Sequence, residues 1–252
     1  MGNSKSMGAE TFSGKGIFVT GTDTGVGKTL VAAALARFLT GRGKKVGVMK
    51  PVETGVTDPS GPGEDAVLLQ WASGTSDNLD LLSPYRLPLP LAPALAAENE
   101  GIRIDLAHLA GAVRTLRERH EFLIVEGAGG LMVPLAGGLL MADLVRQLDL
   151  PLLVVCRPGL GTINHTLLTL FAARAMEIPL AGFIINNMPP QPGLAEESAT
   201  HTLASLASAD LLGVLNEAQG DDREKVSDLA RQISRLPTLP WLLAGLGIQG
   251  EI

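Results

Sequence analysis

Lys28 and Thr29 stand directly behind three glycines, Gly21, Gly25 and Gly27, in the stretch 16–29, GIFVTGTDTGVGKT. Glycines let backbone N–H groups converge on an anion. A lysine at this place reaches β- and γ-phosphates, and the neighbouring hydroxyl can bind Mg²⁺. The apolar run Ile17-Phe18-Val19 before the loop and the helix-forming LVAAALARFL after it supply the strand and helix that such a cradle needs. The spacing departs from the common form. That form leaves about four residues between its first glycine and Gly-Lys, whereas five lie between Gly21 and Gly27. A chance Gly-Lys-Thr in an ordinary turn is the plain alternative, and the flanking strand and helix tell against it. The chain is expected to bind a nucleoside triphosphate.

Further polar residues invite the same kind of reading. Mg²⁺ takes hard oxygen ligands and keeps several waters, so few protein oxygens suffice. Glu126 ends the apolar run of IVEGAGG, where a carboxylate without a cation partner is costly, and the glycines after it leave room for phosphate. Asp65 follows the Pro/Gly-rich loop 57–64, TDPSGPGE, read as a lip or a plain surface loop. It either caps the helix it opens, its ordinary role, or faces the metal. Lys50 ends a short apolar run, is fixed by Pro51, and suits charge stabilisation on a transferring phosphoryl group; a solvated lysine is the alternative. In GLGTINH, Gly159, Gly161 and Thr162 precede a helix, giving free N–H groups fit for a carboxylate, or else an ordinary helix start. His165 reads as a helix-face histidine rather than a base. Cys156 ends LLVVC and reads as a core thiol, since nothing near it in sequence lowers its pKa.

These residues need a frame. Strands are expected at Ile17–Thr20, Val46–Met49, Phe122–Glu126, Leu152–Cys156, Gly182–Asn186 and Leu211–Val214. Helices are expected at Thr29–Thr40, Asp65–Ala72, Asp105–Arg119, Met141–Leu148, Ile163–Met176, Glu196–Ala207 and Arg223–Arg235. Runs such as LLVV and GFII lack polar alternation, as strands covered on both faces do. Their alternation with helices predicts right-handed crossovers and a single-domain α/β fold, doubly wound about a mainly parallel sheet. Ligands then bind beyond the carboxyl ends of the strands. The phosphate loop, Lys50–Gly55, Glu126–Gly130, Arg157–His165 and Asn186-Asn187 all fall at such ends and outline one site. Residues 83–94 carry too many prolines for a regular helix. The C-terminal stretch reads as a short apolar turn packed on the body, with Trp241 in the core.

Composition narrows the class. At 252 residues and 46% hydrophobic, the chain can bury one large core. No apolar run reaches the roughly 18–20 residues of a membrane span. A net charge of −6 without a basic block tells against a nucleic-acid surface. A lone cysteine forms no internal disulfide and fits a reducing cytoplasm. Residues 1–15 are polar and lack a signal-peptide core, so export is not expected; they read as a flexible arm or an appended remnant before a domain at 16–252.

The ordered set GTDTGVGKT, KPVETG, GEDA, PYRLPLPLAPALAAE, VEGAGGLMVPL, GLGTINHTLLT and GFIINN resembles the dethiobiotin synthetase family from about Gly16 to about Val214. The five-residue gap is that family's own form. The resemblance implies a P-loop NTPase fold and a ligase that closes a cyclic urea on 7,8-diaminononanoate from CO2 and MgATP. The products are dethiobiotin, ADP and phosphate, reached through a carbamate and a carbamic-phosphoric anhydride. By position, Gly25, Val26, Gly27, Lys28, Thr29 and Leu30 hold phosphates, and Thr29, Asp65 and Glu126 hold Mg²⁺. Glu126, Gly127, Ala128 and Gly129 touch nucleotide. Lys50 is the catalytic cation. Thr22, Lys28, Lys50 and Thr54 meet the substrate. Gly161, Thr162, Ile163 and Asn164 take its carboxylate from a second subunit, which implies a homodimer. Asn186, Asn187, Leu215, Asn216 and Glu217 fall at the base-reading positions. Two departures occur there: the family commonly has Asn-Asp where Asn186-Asn187 stand, and Pro-Trp-Leu where Leu215-Asn216-Glu217 stand.

Two other readings share the fold. A partner-regulating switch ATPase of the partitioning type usually carries an early loop lysine, where this chain has Thr22-Asp23-Thr24. A cobyrinate-type amide ligase needs an added amidotransferase domain, for which the chain has no room. A pure nucleotide-binding module leaves Lys50 and the substrate-side segments unexplained.

Overall fold

A computed structural model describes residues 16–248; the stretch 1–15, read as an arm, lies outside the described residues. The chain runs β1 (Gly16–Gly21), α1 (Lys28–Thr40), β2 (Val46–Met49), β3 (Val52–Thr54), α2 (Glu64–Ser73), α3 (Leu79–Leu82), β4 (Tyr85–Leu87), α4 (Pro93–Asn99) and α5 (Leu106–Arg119). It continues with β5 (Phe122–Gly130), β6 (Pro134–Ala136), β7 (Leu139–Leu140), α6 (Met141–Leu148), β8 (Leu152–Cys156), α7 (Thr162–Ala175), β9 (Leu180–Met188), α8 (Leu194–Leu206), β10 (Leu211–Asn216), α9 (Asp222–Ser234) and α10 (Leu239–Gly245).

Six strands form one sheet in the order β10-β9-β8-β1-β5-β2, and every neighbouring pair is parallel. Side chains alternate across each strand, and the two faces are both apolar. Ile17, Val19, Val48, Ile124 and Val155 join α1, α2, α9 and α10 in one core layer. Phe18, Met49, Leu123, Val125 and Val154 join α4, α5, α6, α7 and α8 in the other. The chain leaves β1 toward β2 on one side and later passes from β5 to β8 on the other, so the order reverses about β1. In open α/β sheets the ligand crevice lies at such a switch point, and here it coincides with the phosphate loop.

All seven expected helices form, each within two residues of the expected ends. Four strands run longer than expected, β1 by one residue at each end and β10 by two at its C-terminal end. β5 extends through its glycines to Gly130 and β9 to Met188, so Glu126 and Asn186 lie inside paired strands. Short elements were not expected: β3 and β4 make a parallel pair, β6 and β7 an antiparallel one, and α4 starts at Pro93, where proline is tolerated in a first turn. One expectation is overturned. Trp241 is 64% exposed and not in the core. The C-terminal turn is the helix α10, whose Leu242, Leu243 and Leu246 take the buried face and turn the indole outward.

Candidate active site

The loop between β1 and α1 is built by glycine. Gly25 and Gly27 hold φ values of 76° and 87°, in the left-handed region that side chains resist. Gly27 stands at the N-cap of α1 with no side-chain cap, leaving the helix amides free for an anion. A Cβ at Gly27 would collide with the amide nitrogen of Asn186. That nitrogen donates to the Val26 carbonyl at 3.1 Å, so β9 braces the loop from below. Lys28 is buried against the loop, its Nζ donating to the Asp23 carbonyl at 2.9 Å. Burial draws its ammonium below the ordinary lysine value, with Glu126 opposing and Lys50 adding to the fall.

The end of β2, the interior of β5 and the first turn of α2 converge beside this loop. Lys50, just past β2, is 4% exposed rather than solvated. Its Nζ lies 2.6 Å from Glu126 Oε1 and 2.6 Å from Asp65 Oδ2, and it reaches the Gly127 carbonyl at 3.4 Å. Thr29 Oγ1 donates to the same Glu126 Oε1 at 2.7 Å. Burial alone would lower the Lys50 pKa, but Glu126 and Asp65 reverse this and hold the ammonium well above the ordinary lysine range. Burial would raise Asp65, and Lys50 outweighs it, so that carboxyl sits below its usual value. Burial pushes the Glu126 carboxyl up, with Lys50 pulling against it. With two carboxylate oxygens at 2.6 Å the ammonium stays charged.

Asp65 does not cap its helix. The N-cap of α2 is Gly63, and the first-turn N–H groups of Asp65 and Ala66 are met by the Glu53 carboxylate at 2.8 and 3.3 Å. This frees the Asp65 side chain for Lys50. Sequence reading missed Glu53. A signal existed: a helix starting at Gly63 without a capping side chain must draw its partner from elsewhere.

Gly25, Gly27, Lys28, Thr29, Leu30, Lys50, Thr54, Asp65, Glu126, Ala128 and Gly129 line one cavity of about 420 Å³, with Glu53 and Asp222 among its other walls. Other expected site residues lie outside that lining. Val26 is buried under the loop, and Gly127 is buried in β5. Thr22 is tied to β8 through its N–H and the Val155 carbonyl. Asn186 is fully buried, with Oδ1 unpartnered, while Asn187 is exposed with φ 64°. Leu215 packs in the core, and its neighbours Asn216 and Glu217 are exposed at the end of β10. Gly161, Thr162, Ile163 and Asn164 form the start of α7, with Gly161 at φ 88° as its N-cap. Asn164 borders a separate apolar groove of about 640 Å³ with Leu168 and Phe171. A further hollow of about 830 Å³ beside Trp71 is lined by Glu217, Asp221, Glu224, Asp228, Arg223 and Arg231, with no lysine and no glycine loop like that of the phosphate site.

Cys156 is buried as expected; burial pushes its thiol up to about 11, so it is no nucleophile at neutral pH. Among the described residues no cluster of three His, Cys, Asp or Glu side chains forms a metal cage. The oxygen set of Thr29, Asp65 and Glu126 nonetheless suits a hard cation that keeps waters and phosphates. Glu126 Oε2 is buried without any hydrogen-bond partner, an orphan that a cation would satisfy.

The chain is similar to known proteins along most of its length. A family model described as an AAA domain matches residues 15–238. An ATP-dependent dethiobiotin synthetase of Thermodesulfovibrio yellowstonii is 40% identical over 226 residues, covering 85% of this chain and 94% of that protein. The synthetase of Anaeromyxobacter dehalogenans is 44% identical, covering 80% and 89%, and that of Bacillus subtilis 37% identical, covering 89% and 97%. Solved structures with the same fold include the MinD cell division protein of Aquifex aeolicus, at TM-score 0.56 and 17% identity over 95% of this chain and 99% of that one. A ParA family ATPase of Chlorobium tepidum gives TM-score 0.56 at 15% identity, over 94% and 100%. These structural likenesses fix the P-loop NTPase architecture alone, whereas identity at this level along nearly the whole length of the relatives fixes the lineage: the chain belongs to the dethiobiotin synthetase family.

Proposed function

We propose that this cavity closes the ureido ring of dethiobiotin from 7,8-diaminononanoate, CO2 and ATP. The observation that carries the reading is Lys50, a buried permanent cation shared by Glu126 and Asp65 beside the phosphate loop. One substrate amine adds to CO2 and loses a proton, giving a carbamate. A carbamate oxygen attacks the γ-phosphorus, ADP leaves, and a carbamic-phosphoric anhydride forms. The second amine attacks the carbonyl carbon, phosphate departs and the amine proton is lost.

The chain's residues position these groups and stabilise charge. Lys28 and the amides from Gly25 to Leu30 cradle the phosphates. Lys50, held on the charged side, cannot serve as the base for an amine proton; it faces the negative charge on carbamate and γ-phosphate. Thr29, Asp65 and Glu126 would hold Mg²⁺, which supplies charge neutralisation on the phosphate oxygens. Glu126 Oε1 and Asp65 Oδ2, the oxygens that would face the ion, are those that Lys50 holds, so with the ion bound Lys50 would be free to face the substrate. Asn186 and Asn187, with Leu215, Asn216 and Glu217 at the neighbouring strand end, would flank the nucleotide base.

The substrate carboxylate goes to the Gly161–Asn164 amides of a second copy, and the enzyme works as a homodimer. Support comes from α7, whose Leu168 and Phe171 are 58% and 71% exposed directly beyond that seat. Large apolar side chains grouped on one helix face mark an interaction surface. The expected setting is the cytoplasm; among the described residues no helix is long and apolar enough to cross a membrane.

The test supplies diaminononanoate, bicarbonate and MgATP, and measures ADP and dethiobiotin together. Stoichiometric formation of both is expected. ADP release independent of the diamine would refute this function and favour the switch ATPase.

A further inference from the structure

No step above uses Glu53, yet its carboxylate is only 5% exposed and, among the described residues, no lysine or arginine makes a salt bridge to it. It sits in the middle of β3, opposite Arg86 of β4, between the strand end that carries Lys50 and the expected substrate hydroxyl of Thr54. Both of its oxygens accept from the first turn of α2, from the N–H groups of Asp65 and Ala66. Gly63 makes this approach feasible. Its φ of −74° suits any residue, so backbone strain does not demand glycine there. A Cβ at Gly63 would instead collide with the Glu53 carboxyl carbon and both of its oxygens. A serine or aspartate at Gly63 would cap the helix without burying a remote charge. The costlier arrangement ties the helix start to the strand beside Lys50 and fixes the Asp65 backbone.

We propose that Glu53 is a positioning residue for the metal site, clamping the first turn of α2 so that the Asp65 carboxylate faces Glu126 and Lys50; this rests on the reading of Asp65 as a Mg²⁺ ligand.

The test titrates Mn²⁺ into protein with ADP, read by electron paramagnetic resonance, for Glu53→Ala, Gly63→Ala, their double variant, Glu53→Gln and Asp65→Ala. Loss of a group that orients a metal ligand typically weakens metal binding by about 10–100-fold. That loss is expected for Glu53→Ala and for Gly63→Ala, which displaces the carboxylate while retaining every polar group. The double variant is expected to bind no worse than Glu53→Ala, because the added methyl then has nothing to strike. Glu53→Gln, whose amide oxygen still accepts from Asp65, retains most of the affinity. Thermal unfolding is recorded alongside, and Gly63→Ala carries the test if Glu53→Ala does not fold. A lowered unfolding temperature with parental Mn²⁺ affinity in Glu53→Ala and Gly63→Ala, while Asp65→Ala binds weakly, overturns the role of Glu53 alone. Parental affinity in Asp65→Ala overturns the ligand reading and this proposal with it.

Discussion

Replacing Lys50 by methionine keeps much of its length and removes the cation that Glu126 and Asp65 share. Glu126 is 0% exposed, receives Lys50 and Thr29 on Oε1, and has no partner on Oε2. At an effective dielectric of about 20, unit charges at the 2.6 Å separation of Lys50 and Glu126 attract by about 6 kcal/mol gross. Most of that offsets the cost of burying the two charges. Removing one partner of a buried pair leaves a net loss of about 3–5 kcal/mol. For a chain of 252 residues this lowers the unfolding temperature by roughly 6–20 °C. The loss also acquires a pH dependence. Burial already pushes the Glu126 carboxyl above its ordinary value, and the variant has no ammonium to oppose this. The folded state then holds a proton that the unfolded state releases, so stability is greatest in acid and falls as pH rises through the raised value. In the parent, the Lys50 contribution is fully present below the ordinary lysine value of 10.5 and is lost only as pH climbs through its higher folded value. Adding Glu126→Gln to Lys50→Met should restore much of the stability and none of the activity. The assay is thermal unfolding from about pH 5 to about pH 9, with ADP and dethiobiotin formation measured on the same samples. Turnover should fall by about 10³-fold, the scale of losing a preorganised charge at a reacting oxyanion. Parental stability across that range together with turnover within tenfold of the parent would refute both the ion-pair account and the catalytic role.

Gly27→Ala should cost about 1–2 kcal/mol for its left-handed backbone alone, before the collision with Asn186, and should abolish nucleotide binding in a fluorescent-ADP titration. Parental affinity in that variant would mean that the loop relaxes freely around β9. Phe171→Glu, at a position 71% exposed, should leave the fold intact but shift the protein to a monomer by sedimentation, with loss of activity. A dimer of parental activity would place the interface elsewhere.

The site was largely legible because parallel sheets bury both faces and so confine polar chemistry to strand ends. Lys50 and Glu126 each end an apolar run, Lys28 and Thr29 follow the glycine loop after another, and all four line the one cavity. What escaped depends on contacts between segments. Glu53 looks like any residue of KPVETG until α2 folds back with a glycine facing it. β3 and β4 span three residues each, too short for a periodicity to declare itself. Trp241 was misplaced because composition alone does not say which face of a short apolar helix turns inward; three leucines outcompeted the indole. β5 and β9 outran their expected ends because glycines and asparagines, poor strand formers, are carried along by neighbouring strands.

The ammonium between Glu126 and Asp65 has a bearing on how so acidic a crevice stays folded. A nest of acidic groups built only for an external ion would repel itself whenever that ion was scarce. Here the protein carries its own place-holder: the Lys50 ammonium balances Glu126 and Asp65 from within, so the scaffold around the phosphate loop needs no outside ion to hold its charges together.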